Sequence, residues 1–126
     1  MKLNPDCIRD LLLTVEENTD FSRMMNFPSD KNYELLNKYD NEEVFYHIKQ
    51  SELSGLLTKV DWFLGCTCMI RDLSPKGHEF LANIRAENNW SKTKEIANNI
   101  GSTSLGAITQ IASNVITALI SKQLGI

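Results

Sequence analysis

No excess of positive charge runs through this chain. Thirteen Lys and Arg stand against 16 Asp and Glu in 126 residues, a net charge of −3. Phosphate neutralisation supplies most of the affinity of a stand-alone DNA-binding domain, so this balance argues against strong non-specific DNA binding. The acidic surplus sits in residues 1–40, and the remainder sums to zero. Any basic surface must therefore come from local clustering. Cysteine is scarce and odd in number: Cys7, Cys66 and Cys68. The opening MKLNPDCIRDLLL places acids inside its apolar run, unlike a secretory leader. A reducing, cytoplasmic setting with free thiols is the expectation. No uninterrupted apolar run approaches the ~18 residues that span a bilayer. Gly101, Gly106 and Gly125 are too scattered for a phosphate-cradling loop. No nucleophile–base–acid set is visible, so neither enzymatic activity nor a cofactor is expected.

What is present is ordinary for a globular protein: 42% hydrophobic and 23% charged residues. The length fits one domain with an appendage, large enough to bury a core without disulfides. Asn4 as N-cap, Pro5 at the first helical position and apolar Ile8, Leu11, Leu12 and Val15 predict a helix over 4–17. Residues 18–32 are turn-rich. Their Met-Phe content reads either as a short strand at Ser22–Phe27 or as a satellite core under a loop. Residues 33–39 fit a short strand or one helical turn.

Asp40 predicts the cap of a helix over Asn41–Ser54, ended by Gly55. Leu56–Phe63 and Cys66–Asp72 predict a hairpin turning near Leu64-Gly65. Ser74-Pro75 opens a helix with Phe80, Leu81 and Ile84 as its core face. Asn88-Asn89 is expected to interrupt, and Trp90–Ile100 to form a second short helix closed by Gly101. Residues 103–124 predict a long amphipathic helix. Leu105, Ile108, Ala112, Val115, Ile116, Leu119 and Ile120 share one broad arc, and Gln110, Asn114, Thr117 and Ser121 lie opposite.

Helix, hairpin, helix over Asn41–Ile84 is the order of a winged helix-turn-helix domain. The expected fold is mainly α within the α+β class. It comprises a winged-helix-like domain over 1–88, with a small β-hairpin wing, and a C-terminal helical extension over 89–126. In that frame Asn41–Ser54 is the recognition helix, with Tyr46, Lys49 and Gln50 facing a major groove. Lys59, Arg71 and Lys76 would hold the phosphate backbone. The competing reading is a solvated face, made poor for DNA by Glu42, Glu43 and Glu52.

His47 and His78 invite metal or acid–base roles, but packed or hydrogen-bonded structural histidines are the favoured reading. Cys66-Thr67-Cys68 in a strand puts both thiols on one face. Zinc needs about four ligands at other spacings, so two free thiols are favoured and no metal is expected. The long C-terminal helix has three readings: packing within the chain, a membrane surface, or a second copy. A single Lys122 is too little charge for an interfacial helix. An uncovered arc of that size favours a homodimer.

Three stretches carry a resemblance: YHIKQSELSGLL (Tyr46–Leu57), LSPKGHEFLANIR (Leu73–Arg85) and NWSK (Asn89–Lys92). With the opening NPDCIRDLLL they resemble the bacterial and phage-associated domain of unknown function family 2513, along roughly the whole chain. The most specific part is GHEFLANIR at Gly77–Arg85. The resemblance implies a small cytoplasmic protein of phages and mobile elements and carries no activity with it. Gln50-Ser51 stands where members commonly have two leucines, and Ser54 where alanine is usual. The leading expectation is a non-enzymatic regulator that binds double-stranded DNA as a homodimer. The alternative is a non-catalytic module that contacts a host or phage protein.

Overall fold

A computed structural model describes all residues, 1–126. It is mostly helical: five α-helices with one small antiparallel sheet of three strands. Contacts divide the chain into two compact units, Met1–His78 and Glu79–Ile126, and the division falls inside the third helix. No helix is long and apolar enough to cross a membrane.

The first unit begins with α1, Pro5–Asn18. Asn4 caps it, its side chain accepting from the Asp6 N–H at 3.1 Å, with Pro5 in the first turn. Ile8, Leu11, Leu12 and Val15 are buried, as the 3.6-residue period requires. The ambiguous Met-Phe stretch forms a strand, β1, at Met25–Phe27, closed by a cis Phe27–Pro28 bond. A 3-10 turn at Glu34–Leu36 follows. Helix α2, Asn41–Leu53, starts at Asp40, whose carboxylate accepts from the Glu43 N–H at 2.8 Å. Strands β2, Val60–Phe63, and β3, Thr67–Ile70, make the hairpin. The chain then enters α3, Pro75–Ile84.

The sheet order is β1-β3-β2, with Met25 and Val60 both opposite Ile70, and Phe27 and Trp62 both opposite Cys68. Period-2 alternation puts Met25, Phe27, Val60, Trp62, Cys68 and Ile70 on one face. All but Trp62 are buried. Helix α2 covers that face: Phe45 meets Phe27 edge-on at 5.0 Å and Trp62 at 6.3 Å between ring centroids. The opposite face carries Asn26, Asp61, Phe63, Thr67 and Met69 and is open.

Two expectations are corrected. The strands are shorter than the apolar runs, because Gly55 turns the chain at φ 78° and Leu57 meets Leu73 only as an isolated bridge. Cys66 lies in the hairpin turn at φ 58°, not in the strand. Cys66 and Cys68 therefore do not share a strand face: Cys66 is exposed and Cys68 is buried.

Within the second unit, α4 spans Glu87–Ile100 and α5 Leu105–Leu124. Asn88-Asn89 does not interrupt a helix but lies in the first turn of α4, since the break falls at Arg85-Ala86. Gly101 ends α4 at φ 87°. Ser104 caps α5 through the Ala107 N–H at 3.1 Å. The two helices pack on each other. Trp90, Thr93 and Ala97 of α4 are buried, as are Leu105, Ile108, Ile111 and Ala112 of α5.

Ser51 explains the unusual Gln50-Ser51 pair only in part. It is fully buried in α2 and its hydroxyl has no hydrogen-bond partner. A buried orphan hydroxyl costs free energy, and alanine is the better helix former. Ser51→Ala is therefore expected to stabilise the chain by about 0.5–1 kcal/mol. A urea midpoint at or below that of the wild type would contradict this.

Candidate interaction surface

Helix α2, the hairpin with its flanks and the first turn of α3 carry the side chains assigned above to DNA contact. The structure pairs most of their charges internally. Lys49 Nζ lies 3.1 Å from Glu52 Oε1 and 5.2 Å from the centre of the Trp62 ring. The Trp62 indole donates to the same Glu52 oxygen at 3.1 Å, which ties α2 to the edge strand β2. Lys59 Nζ and Arg71 Nε flank one acid, Asp61, at 3.4 and 3.8 Å. Lys76 Nζ donates to the Ser54 carbonyl at 3.2 Å, at the negative end of α2.

Exposed pairs of this kind add little stability. Their effect here is on the field. Lys49 is paired with Glu52, Lys59 and Arg71 share Asp61, and Lys76 is held by a carbonyl, so the four cations are partly offset within the chain. Tyr46 and Gln50 are half-exposed and spend no side-chain hydrogen bond within the chain. Lys59 and Arg71 emerge on the open face of the sheet, whereas Lys49 stands over Trp62 on the covered side. Lys49 thus lies on the other side of the sheet from Lys59 and Arg71.

What the hairpin does present is apolar. Phe63 is 53% and Leu64 101% exposed at its apex. Beside them opens a cleft of about 530 Å³ between the hairpin and the segment after β1, lined by Phe63, Thr67 and Cys68 and by Asn26, Pro28, Ser29 and Asp30. Large apolar side chains gathered at an exposed tip mark a contact site more often than chance. The sequence reading places Phe63 at the end of a hairpin strand and does not single it out as a contact residue. Alternation alone carried the signal, since Phe63 falls on the same face as Asp61.

His47 and the thiols of Cys7 and Cys68 are structurally committed. His47 is fully buried in α2. Its Nε2 accepts the Asn4 N–H at 2.8 Å and its Nδ1 lies 2.7 Å from the Glu43 carbonyl. A carbonyl only accepts, so Nδ1–H donates and both ring nitrogens are occupied. His78 is exposed, 4.0 Å from Asp72. Burial pushes the thiols of Cys7 and Cys68 up to about 12, with the nearby acids adding to it. At neutral pH both remain protonated and unreactive.

The outer arc of α5 divides in two. Leu105, Ile108 and Ala112 are buried within the chain and face no partner. Val115 and Ile116 are half-buried, and Leu119 and Ile120 are 42% and 53% exposed. Ile116, Leu119 and Ile120 line a charge-free apolar surface with Gln123 and Leu124, and Val115 precedes it.

The family described as "Hypothetical protein (DUF2513)" matches residues 2–104 of this chain. An "Uncharacterized protein" of Haemophilus influenzae (strain ATCC 51907 / DSM 11121 / KW20 / Rd) is 31% identical over 124 residues, covering 96% of this chain and 100% of that relative. No solved structure matches.

Proposed function

The chain belongs to the DUF2513 family, and from that premise we propose that it is a non-catalytic protein-interaction module built on a winged-helix scaffold. The observation that carries the reading is the exposed Phe63-Leu64 apex beside a cleft, next to two cations, Lys59 and Arg71, that both flank Asp61. A protein partner that buries the apex gains hydrophobic free energy of about 1.5–3 kcal/mol per side chain. A duplex would gain little, because releasing its counterions needs cations that are free to meet phosphate.

Paired captures test this. Immobilised wild-type chain and a Phe63→Ser/Leu64→Ser variant are offered the same cell extract. A partner retained by the first and lost from the second is expected. Equal retention by both would sink the assignment of the apex. A fluorescence-anisotropy titration with a random-sequence duplex library, at about 50 and 200 mM salt, forms the second arm. Tight binding that weakens steeply with salt would overturn the protein-partner reading.

One observation favours DNA as the second reading. The order α1, β1, 3-10 turn, α2, β2, β3, with β3 central in the sheet, supports a winged-helix reading, with the 3-10 turn in place of a helix. It would place Tyr46 and Gln50 of α2 at the groove. Either function suits a small protein of phage or mobile-element type.

Self-association goes with both readings, through Val115, Ile116, Leu119 and Ile120 rather than the whole arc. A face with no charge of its own meets its copy without repulsion. Light scattering is expected to show the full chain as a dimer and a Leu119→Glu/Ile120→Glu variant as a monomer. Identical masses for the two would exclude this face as the interface.

A further inference from the structure

The hairpin leaves one edge of the sheet open. In an antiparallel ladder only alternate residues exchange backbone hydrogen bonds with a given neighbour. The Arg71 N–H donates to the Lys59 carbonyl at 3.0 Å, and the register sets Asp61 opposite Met69 and Phe63 opposite Thr67. Lys59, Asp61 and Phe63 therefore bond to β3, while Val60 and Trp62 turn their N–H and C=O groups outward. The other edge follows the same rule and is closed: Asn26 is the outward residue of β1, and its carbonyl accepts the Tyr33 hydroxyl at 2.9 Å. No such partner within the chain reaches the outward groups of Val60 or Trp62. A backbone group that is both buried and unpaired is rare, so these groups meet solvent. Side-chain exposure rises towards the apex, from a buried Val60 through Trp62 at 39% to Phe63.

Two rows of side chains flank this edge. Trp62 stands on the α2 side, its indole held by Glu52 at 3.1 Å. Lys59, Asp61 and Phe63 stand on the open side. There Lys59 and Arg71 share the single Asp61, which leaves one positive charge in excess. A second copy of the chain fits the edge poorly. Antiparallel self-pairing through Val60 and Trp62 sets Asp61 directly against Asp61, and like charges so placed repel. Self-pairing centred on Trp62 needs Leu64 as a strand residue, and Leu64 lies in the turn.

We propose that the protein partner adds an extended segment antiparallel to β2, bonded through its main chain to Trp62 and Val60, with an apolar side chain beside Phe63 and an acidic one beside Lys59. The proposal rests on the protein-partner reading of the hairpin and gives that partner a strand conformation and a side-chain pattern. The main chain supplies the attraction, and the alternate side chains supply the choice of partner.

The probe is the acetylated and amidated peptide Leu-Val-Thr-Val-Glu, titrated into the full ¹⁵N-labelled chain. In the proposed register its leucine lies beside Phe63, its two valines bond to Trp62 and Val60, and its glutamate lies beside Lys59. The amides of Trp62 and Val60 are expected to shift, and that of Asn26 on the closed edge to stay. N-methylation of either valine is expected to abolish the shifts. N-methylation of the threonine, whose N–H points to solvent, is expected to keep them. Lysine in place of the glutamate is expected to weaken binding roughly fivefold, the scale of a cross-strand charge pair. Silence with the parent peptide overturns the proposal, and so does equal loss from methylation at all three positions. Shifts of the same amides with protein concentration alone would assign the edge to a second copy and overturn it too. The Phe63→Ser/Leu64→Ser capture reads the apex separately. A partner lost from that variant while the peptide stays silent strikes the strand pairing and keeps the apex.

Discussion

Gly77→Ala unfolds the first unit or comes close to it. A Cβ at this position would lie 2.0 Å from the Leu56 carbonyl oxygen and 3.0 Å from its carbon. Both are backbone atoms, so no side chain can swing aside. The carbonyl is itself held in place, because it accepts the Ser74 N–H at 3.0 Å. Ser74 also donates from Oγ to the Gly55 carbonyl at 2.5 Å and accepts the Gly77 N–H at 2.9 Å. The end of α2 and the start of α3 are therefore laced together through two short turns, and Gly77 is where the two backbones touch.

Relieving the overlap means breaking that lacing, at an expected cost of at least about 3 kcal/mol. For a chain of this size such a loss lowers the melting temperature by roughly 10 °C or more. Gly55→Ala is the control. Gly55 has a positive φ of 78° but open space around it, so about 1 kcal/mol is expected there. Calorimetry on the two variants decides. A Gly77→Ala melt as mild as that of Gly55→Ala would show that the close approach is not real.

Replacing His47 by leucine is expected to cost about 2–3 kcal/mol, the sum of a lost hydrogen bond and an orphaned donor. Leucine fills much of the same space, so packing is not the main loss. The ring joins the start of α1 to α2: Nε2 takes the N–H of Asn4, and Nδ1–H holds the Glu43 carbonyl. Asn4 is also the residue whose side chain caps α1. Removing its backbone acceptor frees the first turn of α1 as well as the contact between the helices. His47→Asn keeps a carbonyl and an amide and is expected to recover part of the loss. Denaturant unfolding of the three proteins, with hydrogen exchange at the first turn of α1, reads both effects. A His47→Leu midpoint equal to the wild type, with Asn4 still protected, would remove the role assigned to the ring.

Neither effect is visible along the chain, and the contrast with what is visible is physical. Helix starts and stops are local. Asn4-Pro5, Asp40 and Ser74-Pro75 mark their helices because a cap satisfies N–H groups two or three residues away. Gly101 ends α4 because a left-handed residue is cheap only there. The face of α1 is equally legible, since period 3.6 lines up Ile8, Leu11, Leu12 and Val15 whatever they pack against. The Asn88-Asn89 break was misread because both residues are tolerated in a first turn, where their side chains reach solvent.

The candidate surface was not legible in this way. Lys49, Lys59, Arg71 and Lys76 looked like cations available to phosphate, because a linear chain does not show who stands across from whom. The β2–β3 register sets Lys59 and Arg71 on either side of Asp61, and the turn of α2 brings Glu52 under Lys49 and Trp62. The same holds for α5. Its apolar arc is continuous in sequence, but only the N-terminal half is buried.

By itself the sequence determined the helices and most of their ends, the presence of the hairpin and the family, because caps, periods and a motif such as GHEFLANIR are short-range. Only the tertiary structure decided which charges cancel, which apolar residues are left for a partner and why Gly77 has no side chain. Each of those depends on atoms that are far apart in the chain and meet only after folding.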